Sequence, residues 1–525
     1  MPMPSTAARG SYTRTAFIIG TPPMTPSSPV SQHRTGILDR LLHRTNRKQM
    51  DPSVDALAEL KALAGIITTS IATIEASLKE NSLAYPSPRA VPFTPQSESG
   101  RNIPEVQLAG SNIVAAASQL ISIVRPPPLT LIAYALQFHV STALRIAIIA
   151  HTAEILRDAG AQGKHVQDIA RPTNIDPAKL ARVLRLLATN HVFIEVSPDV
   201  FATNRLSSIF DTGKSIEEIM AKPGKKYEGT IAFGALLEHF SDDALTSATS
   251  LPDVIVDPRD GLSNEPTTTA FNRAFKNDLP FFEWFDLPAQ AARMARFSIA
   301  MDGATQMAVP DEIVQGFNWE SYPEGSLVVD VGGGVGSQCL PLAKKYPQLS
   351  FVIQDRAPVI QEAVKFWSDV LPGHYKNGKV SLETHDFFTP QPVRKVSVFL
   401  LRMIMHDWSE EYCVKILRIL RAVADESTKL LLVDNIVPYA CNETQSKDIP
   451  GAERPLPPPP LLPNLGHAGI IAYYTDLNMM TLFNGQERTV LQLQALMKKS
   501  GWKLVEVYYG NPFSVGQSKA IGVPA

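Results

Sequence analysis

Residues 327–336 read Leu-Val-Val-Asp-Val-Gly-Gly-Gly-Val-Gly. An apolar run, an acid and then a cluster of glycines describe a buried strand that turns sharply into a helix, expected from about Ser337 to Lys345. Glycine is needed where the backbone takes positive φ or where a ligand presses on the main chain. A Gly-rich turn between a buried strand and a helix is the usual nucleotide cradle of an open α/β sheet. Phe351-Val352-Ile353-Gln354-Asp355 follows as a second strand ending in an acid. Asp355 lies roughly twenty residues past the glycines, where an acid can take the two hydroxyls of a ribose.

Two cofactor readings compete for this turn. The dinucleotide fingerprint needs glycines at 332, 334 and 337, and position 337 is Ser. The acid at 330, just before the glycines, fits another pattern. Asp-Val-Gly-Gly-Gly-Val-Gly resembles the first motif of class I S-adenosylmethionine-dependent methyltransferases. That resemblance implies that Gly332 and Gly333 approach the amino-acid end of the methyl donor and that Asp355 binds its ribose. A glycine turn with no ligand is the plain alternative, but glycine costs stability where nothing requires it.

Further along, Val396-Ser397-Val398-Phe399-Leu400-Leu401 reads as another buried strand, running into Arg402-Met403-Ile404-Met405-His406-Asp407-Trp408-Ser409. A helix is expected next, with Ser409 as N-cap, Glu410 and Glu411 in its first turn, and Cys413, Leu417, Leu420 and Val423 at helical spacing. His406 therefore falls at the C-terminal end of a parallel strand, where open α/β sheets place ligands. A lone His there is as often structural. However, His-Asp-Trp after Arg402 and its three-residue spacer resembles the catalytic segment of plant and fungal small-molecule O-methyltransferases. Leu430 to Asp434 is a further strand ending in an acid, and Asn484 to Thr489 opens a helix over Val490 to Ser500 that Gly501 stops.

The resemblance implies that carboxylates at these two places, here Asp434 and Glu487, flank the catalytic His406. Asp434 is one methylene shorter than the Glu common at that position. Glu487 has a plain alternative as an ordinary charge at a helix N-terminus. The resemblance also implies that Asp386 and Phe387 flank the adenine, that Arg402 lies near the methyl donor, and that the region of Phe275 lines the pocket. It implies an α/β fold, a Rossmann-like seven-stranded methyltransferase sheet preceded by a helical, winged-helix dimerisation domain.

Chemistry accounts for these residue types. The donor's methyl sits on a sulfonium and is already electrophilic, so no metal is called for. The acceptor is the weak partner: a phenol, judged from Tyr, has a pKa of about 10. A histidine with an ordinary pKa of about 6.5 can take that proton as general base. A carboxylate on the far ring nitrogen fixes the tautomer. In-line transfer then depends on holding oxygen, methyl and sulfur in a row.

The chain has 525 residues, enough for more than one domain, and a net charge of −2, which creates no general field for nucleic acid or membrane. Its three cysteines, Cys339, Cys413 and Cys441, have no metal spacing and suggest a reducing, cytoplasmic setting. The apolar run Leu129 to Ala150 could span a bilayer by length, but Gln137, His139 and Arg145 interrupt it, favouring a buried helix at a subunit interface.

Four parts are expected. Residues 1–50 are rich in Ser, Thr and Pro, with Asp39 their only acid, and form a disordered or targeting-like tail. Residues 51–215 form the helical and winged-helix domain. Leu57, Leu60, Leu63 and Ile67 mark its first helix; Asp176 caps a later one beginning at Pro177; and Val192 to Val196 with Val200 to Ala202 form a wing. Lys179, Arg182 and Arg185 face outward there but are too few for a DNA-binding face.

Residues 216–310 link the halves through a loop, 241–268, and an aromatic cluster from Phe271 to Trp284. Residues 311–525 form the catalytic domain, with a proline-rich insertion at 442–468 expected as an exposed or lid-side loop. Tyr473, Met479, Met480 and Phe483 after it read equally as acceptor wall or as core.

The reading is thus an O-methyltransferase acting on a phenolic hydroxyl of a small aromatic metabolite, as a homodimer. The wording of 461–489 resembles fungal members, which implies a polyketide acceptor. A nicotinamide-dependent oxidoreductase and a non-catalytic regulator of the same fold are the alternatives. Ser337 disfavours the first, and His406 with two candidate carboxylates disfavours the second.

Overall fold

The computed structural model describes residues 56–89, 91–306, 311–510 and 516–525. The tail over 1–50 lies outside them. The described chain begins with two long helices, α1 (Ala56–Glu80) and α2 (Pro104–Val124), packed as a hairpin. Leu63 of α1 and Ala115 and Ala116 of α2 are buried in the seam, whereas Leu57 at the start of the expected stripe is exposed. Helices α3 (Pro127–Leu136) and α4 (Phe138–Ile149) follow. The expected single helix over 129–150 is interrupted at Gln137, and its outer face is open: Leu131 is 68% exposed, and Leu129, Ile132 and Tyr134 are also exposed. By length and composition alone, α1, α2 and the α3–α4 pair are each apolar enough to cross a membrane.

The helix and the two strands expected over 177–202 are present, together with a further short strand. Strand β1 (Lys164–His165) precedes helix α5 (Pro177–Thr189), and β2 (Phe193–Ser197) and β3 (Val200–Thr203) form the wing, in the order β1-β3-β2. Asp176 caps α5 by accepting from the Lys179 amide at 2.9 Å. Leu180, Leu184 and Leu187 make its buried face. Arg185, one of the three outward basic residues, is spent on Glu195 and Asp199 of the wing.

The stretch 241–268, read as a loop, contains helical pieces instead. A π-turn over Phe240–Ala244 continues the helix Phe233–His239, and Leu245–Ala248 and Leu251–Ile255 follow as short helices. Asp242 and Asp243 look like solvated loop residues in the sequence, yet both are buried. Arg145 of α4 and Arg293 and Arg296 of α6 (Ala291–Gln306) pair with them. Charge neutralisation across three elements makes this burial tolerable.

The C-terminal half holds a seven-stranded sheet. Its strands are β4 (Leu327–Val331), β5 (Ser350–Asp355), β6 (Val380–Thr384), β7 (Val398–Arg402), β8 (Lys429–Asp434), β9 (Trp502–Tyr508) and β10 (Ser518–Pro524). The order is β6-β5-β4-β7-β8-β10-β9, parallel except for β10, which runs antiparallel to both neighbours.

Alternation along each strand divides two cores. Val329, Val331, Phe399, Leu401, Leu430 and Leu432 face α9 (Glu410–Arg421) and α11 (Val490–Lys499). Val328, Phe351, Ile353, Val398, Leu400 and Leu431 face α7 (Cys339–Lys345) and α8 (Ala357–Val370). Chain order reverses between β4 and β7, and the crevice beyond their C-terminal ends is where such sheets bind ligands.

The proline-rich insertion is not simply exposed. Leu461 is buried against Leu63, Ala115 and Ala116 of the α1–α2 hairpin, and Gln119 donates to the Pro460 carbonyl. Apolar packing, not secondary structure, holds it. Helix α10 (Ile470–Phe483) then leads toward the crevice.

Candidate active site

Two turns meet at the switch point. The first leaves β4. The amides of Gly332 and Gly333 donate to the Gln354 carbonyl of β5 at 2.8 and 3.1 Å. Gly332 has φ +68°, and a Cβ on it would lie 2.5 Å from the Ile404 Cδ1 atom; a Cβ on Gly333 would lie 2.4 Å from the Asp330 carboxyl carbon. Packing forbids a side chain at both. Gly334, at φ +60°, faces open space. Its amide donates to Asp355 Oδ2 at 2.9 Å, while the Arg356 amide donates to Oδ1 at 2.7 Å. The expected ribose acid therefore stands at the open lip of the glycine turn.

Phe387 stands close to the same turn, with Cε1 3.7 Å from the Gly332 Cβ position, and packs edge-on against Phe388 and Trp408. Asp386 accepts from the Phe388 amide at 2.9 Å and shapes its own turn. Beneath the glycines, burial pushes Asp330 up to about 7, while Cys339 donates to it at 3.2 Å. Arg402 ends β7 with its Nε buried and without a hydrogen-bond partner among the described residues. Burial holds its pKa below the ordinary arginine value, against the attraction of Asp434, Asp330 and Glu312.

The second turn follows β7. Met403 takes φ +53°, and Met405–Asp407 forms one 3₁₀ turn. The chain after α10 clamps it. The Gln486 amide donates to the His406 carbonyl at 2.8 Å, and the Arg488 guanidinium donates to the Met405 carbonyl and, at 2.7 Å, to that of Trp408. Gly485 is required here, since a Cβ would sit 2.1 Å from the His406 carbonyl oxygen.

His406 is 7% exposed and Glu487 1%. The ring Nδ1 and Glu487 Oε1 are 2.9 Å apart. Asn435 donates to the same oxygen at 3.0 Å, and the Glu487 amide donates to Asp476 at 2.9 Å. With Nδ1 thus engaged, Nε2 is the nitrogen left for an acceptor. Asp407 Oδ1 lies 3.4 Å from it.

Asp434 is brought into the cluster but makes no hydrogen bond to the ring; its Oδ1 is buried and has no hydrogen-bond partner among the described residues. The one-methylene deficit against Glu is a sufficient reason for that gap. Asp407, the middle residue of His-Asp-Trp, takes the second place beside the imidazole instead. Adjacency in the motif was the only signal for it, and nothing in the sequence marked Asn435 or Arg488.

Burial works against charge on His406, but Asp407, Glu487 and Asp434 outweigh it and raise the ring to about 10. Burial in turn pushes Asp434 up to about 7 and Asp407 to about 6. These groups titrate as one cluster. Among the described residues no group of three or more His, Cys, Asp or Glu side chains is arranged to hold a metal ion.

An aromatic wall stands beside the crevice. Phe271, Phe281, Trp284 and Phe285 pack with Met479, Leu482 and Phe483 of α10, and Phe282 stacks on Phe483 at 5.5 Å. Arg356 bridges the two parts, with its guanidinium over the Phe282 ring and 2.6 Å from Asp286. Tyr473 is used elsewhere, donating to the Pro438 carbonyl and accepting from Asn464.

The chain resembles known proteins in sequence and in fold. An O-methyltransferase domain family matches residues 257–452. The chain is similar to 4-O-methyltransferase 1 of Phanerochaete chrysosporium, with 42% identity over 451 residues, 86% of this chain and 95% of the relative. Its fold is shared with OxaC, solved in complex with SAH and oxaline (TM-score 0.59, 18% identity, 88% of this chain and 100% of that one). It is shared equally with a protein described as a pericyclic reaction enzyme (TM-score 0.59, 22% identity, 80% and 95%). The structural likenesses speak for fold alone. The curated relative, matched over nearly its whole length, settles the family: this chain belongs to the O-methyltransferases.

Proposed function

We propose that the protein transfers the methyl of S-adenosylmethionine to a phenolic hydroxyl of a small aromatic metabolite, a fungal polyketide, with His406 as general base. The observation that carries this reading is the buried His406–Glu487 pair at 2.9 Å, on the turn beside the glycine cradle. Ile404, two residues before the histidine, packs on Gly332, so cradle and base are neighbours.

The cradle fits the methyl donor. Gly334 opens onto free space, Asp355 stands at its lip, and the Nε of Arg402 is buried without a partner among the described residues. Gly332, Gly333, Asp355, Asp386, Phe387 and Arg402 would hold it. When bound, S-adenosylmethionine supplies a methyl made electrophilic by its sulfonium. The protein's work is to orient and to manage one proton.

Glu487 keeps Nδ1 protonated, so the Nε2 lone pair faces the acceptor hydroxyl and takes its proton as the O–C bond forms. Asp407 must yield its place beside Nε2 to that hydroxyl. The carboxylates around the ring raise its affinity for a proton, which is the property that lets it take one from the acceptor. A phenolate beside imidazolium and a phenol beside imidazole carry the same protons, so either route reaches the same transition state. Asp434 acts through its charge on the cluster.

The exposed apolar face of α3 and α4 suits a twin subunit, and a C2 dimer is the commonest arrangement. Incubation with methyl-labelled S-adenosylmethionine and a panel of hydroxylated benzenes, naphthalenes and anthraquinones tests the reaction. Label recovered as an aryl methyl ether supports it; label in no phenol, with the donor bound, overturns it.

A further inference from the structure

Asn435 is the first residue after β8, and its side-chain amide lies between two fixed groups. The Gly516 amide donates to its Oδ1 at 2.7 Å, and its Nδ2 donates to Glu487 Oε1 at 3.0 Å. A backbone N–H can only donate, so Oδ1 must face Gly516 and Nδ2 must face Glu487. Gly516 is itself held in place: it has φ +63°, and a Cβ on it would lie 2.1 Å from the Met403 sulfur. The orientation of the amide is thus imposed by the main chain.

We propose that Asn435 is a positioning residue for methyl transfer, holding Glu487 as the ionised carboxylate on the Nδ1 side of His406. The inference rests on the general-base reading of His406. Its force comes from the crowd around the ring. Asp407 faces Nε2 from the 3₁₀ turn, Asp434 faces the cluster from β8, Asp476 accepts the Glu487 amide from α10, and Arg488 is the nearby buried cation. So many buried carboxylates around one imidazole cannot all be ionised. A donor aimed at Glu487 Oε1 favours negative charge on the Nδ1 side of the ring. Among the described residues Glu487 Oε2 has no hydrogen-bond partner, and the two donors they supply both meet Oε1.

The consequence has a definite sign. Stabilising the carboxylate lowers the cost of leaving Glu487 anionic once the ring has lost its proton. Asn435 therefore moves the titration of His406 toward neutrality, and its loss moves it to higher pH. A residue that merely packed would lower activity equally at every pH.

The test compares Asn435→Leu, Asn435→Asp and His406→Ala in the full chain. The assay is labelled methyl transfer to the phenol of the panel turned over fastest, from pH 6 to 10, with donor binding followed by calorimetry. The kcat of Asn435→Leu should fall at least about tenfold at neutral pH, the loss of one hydrogen bond to a charged group. The acid limb of kcat/KM should move to higher pH, and donor affinity should stay as in wild type. Asn435→Asp, which is isosteric, should move the limb at least as far, because an ionised Asp adds charge beside Glu487.

A substrate-free arm follows the imidazole ¹⁵N signals, with His406 assigned by their loss in His406→Gln; its titration midpoint should rise in both Asn435 variants. If both variants keep the wild-type profile and midpoint while His406→Ala is slow, the role of Asn435 is refuted alone. If His406→Ala is as fast as wild type, the general-base reading falls first.

Discussion

Replacing Glu487 by Gln removes one charge and almost no volume from a side chain that is 1% exposed. Its Oε1 accepts from His406 Nδ1 and from Asn435 Nδ2. A hydrogen bond to a charged group contributes about 1.5–3 kcal/mol. If that energy is felt mainly as imidazolium forms, kcat should fall about 10- to 150-fold, at 1.36 kcal/mol per factor of ten. The pH profile carries a second signature. Glu487 is among the charges that raise His406 to about 10, so its neutralisation lowers the ring's pKa. The acid limb should move to lower pH, opposite to the shift from Asn435 variants. The deficit should be greatest at high pH, where the wild-type base is fully available. Stopped-time labelled transfer between pH 6 and 10 reads both effects. Wild-type kcat, or an acid limb that stays put or moves upward, would refute the dyad.

Three further outcomes can be checked separately. Asp355→Ala should weaken S-adenosylmethionine binding by about 1.5–3 kcal/mol in calorimetry, because its carboxylate stands at the open end of the glycine turn; unchanged affinity would remove it from the donor site. Asp243→Ala takes a buried carboxylate from His239, Arg293 and Arg296 and leaves the two arginines to Asp242 and Glu238, so thermal unfolding should come lower, for a loss of about 1.5–3 kcal/mol; an unchanged melting curve would contradict the network. Light scattering at micromolar concentration should give twice the chain mass, and an active monomer would rule out the twin subunit.

Much of the catalytic half was legible because its signals are local. The apolar strands, the glycine turn and the acids at strand ends each appear in a run of a few residues, and β4, β5, β7 and β8 fall where those runs lie. His406 and Glu487 are 81 residues apart, and only the family resemblance joined them. The resemblance implies Asp434 beside the ring and does not point to Asp407, whose Oδ1 lies 3.4 Å from Nε2, because reach depends on side-chain length and turn geometry.

The linker was the hardest stretch. Asp242 and Asp243 look like loop residues until arginines from two distant helices neutralise them. The insertion at 442–468 has too much proline for regular structure, yet Leu461 anchors it to the α1–α2 hairpin. Contacts made by one residue across hundreds leave no periodicity to read.

The central claim is that His406 removes the acceptor proton. It is tested most directly by the rate of labelled methyl transfer in His406→Ala at pH 7, with donor affinity measured on the same sample. The expected result is a loss of about 10²–10⁴ in kcat, with donor binding nearly intact and partial rescue as the phenol ionises at higher pH. Wild-type turnover of a neutral phenol at pH 7 by that variant would contradict the claim and leave proximity alone as the source of catalysis.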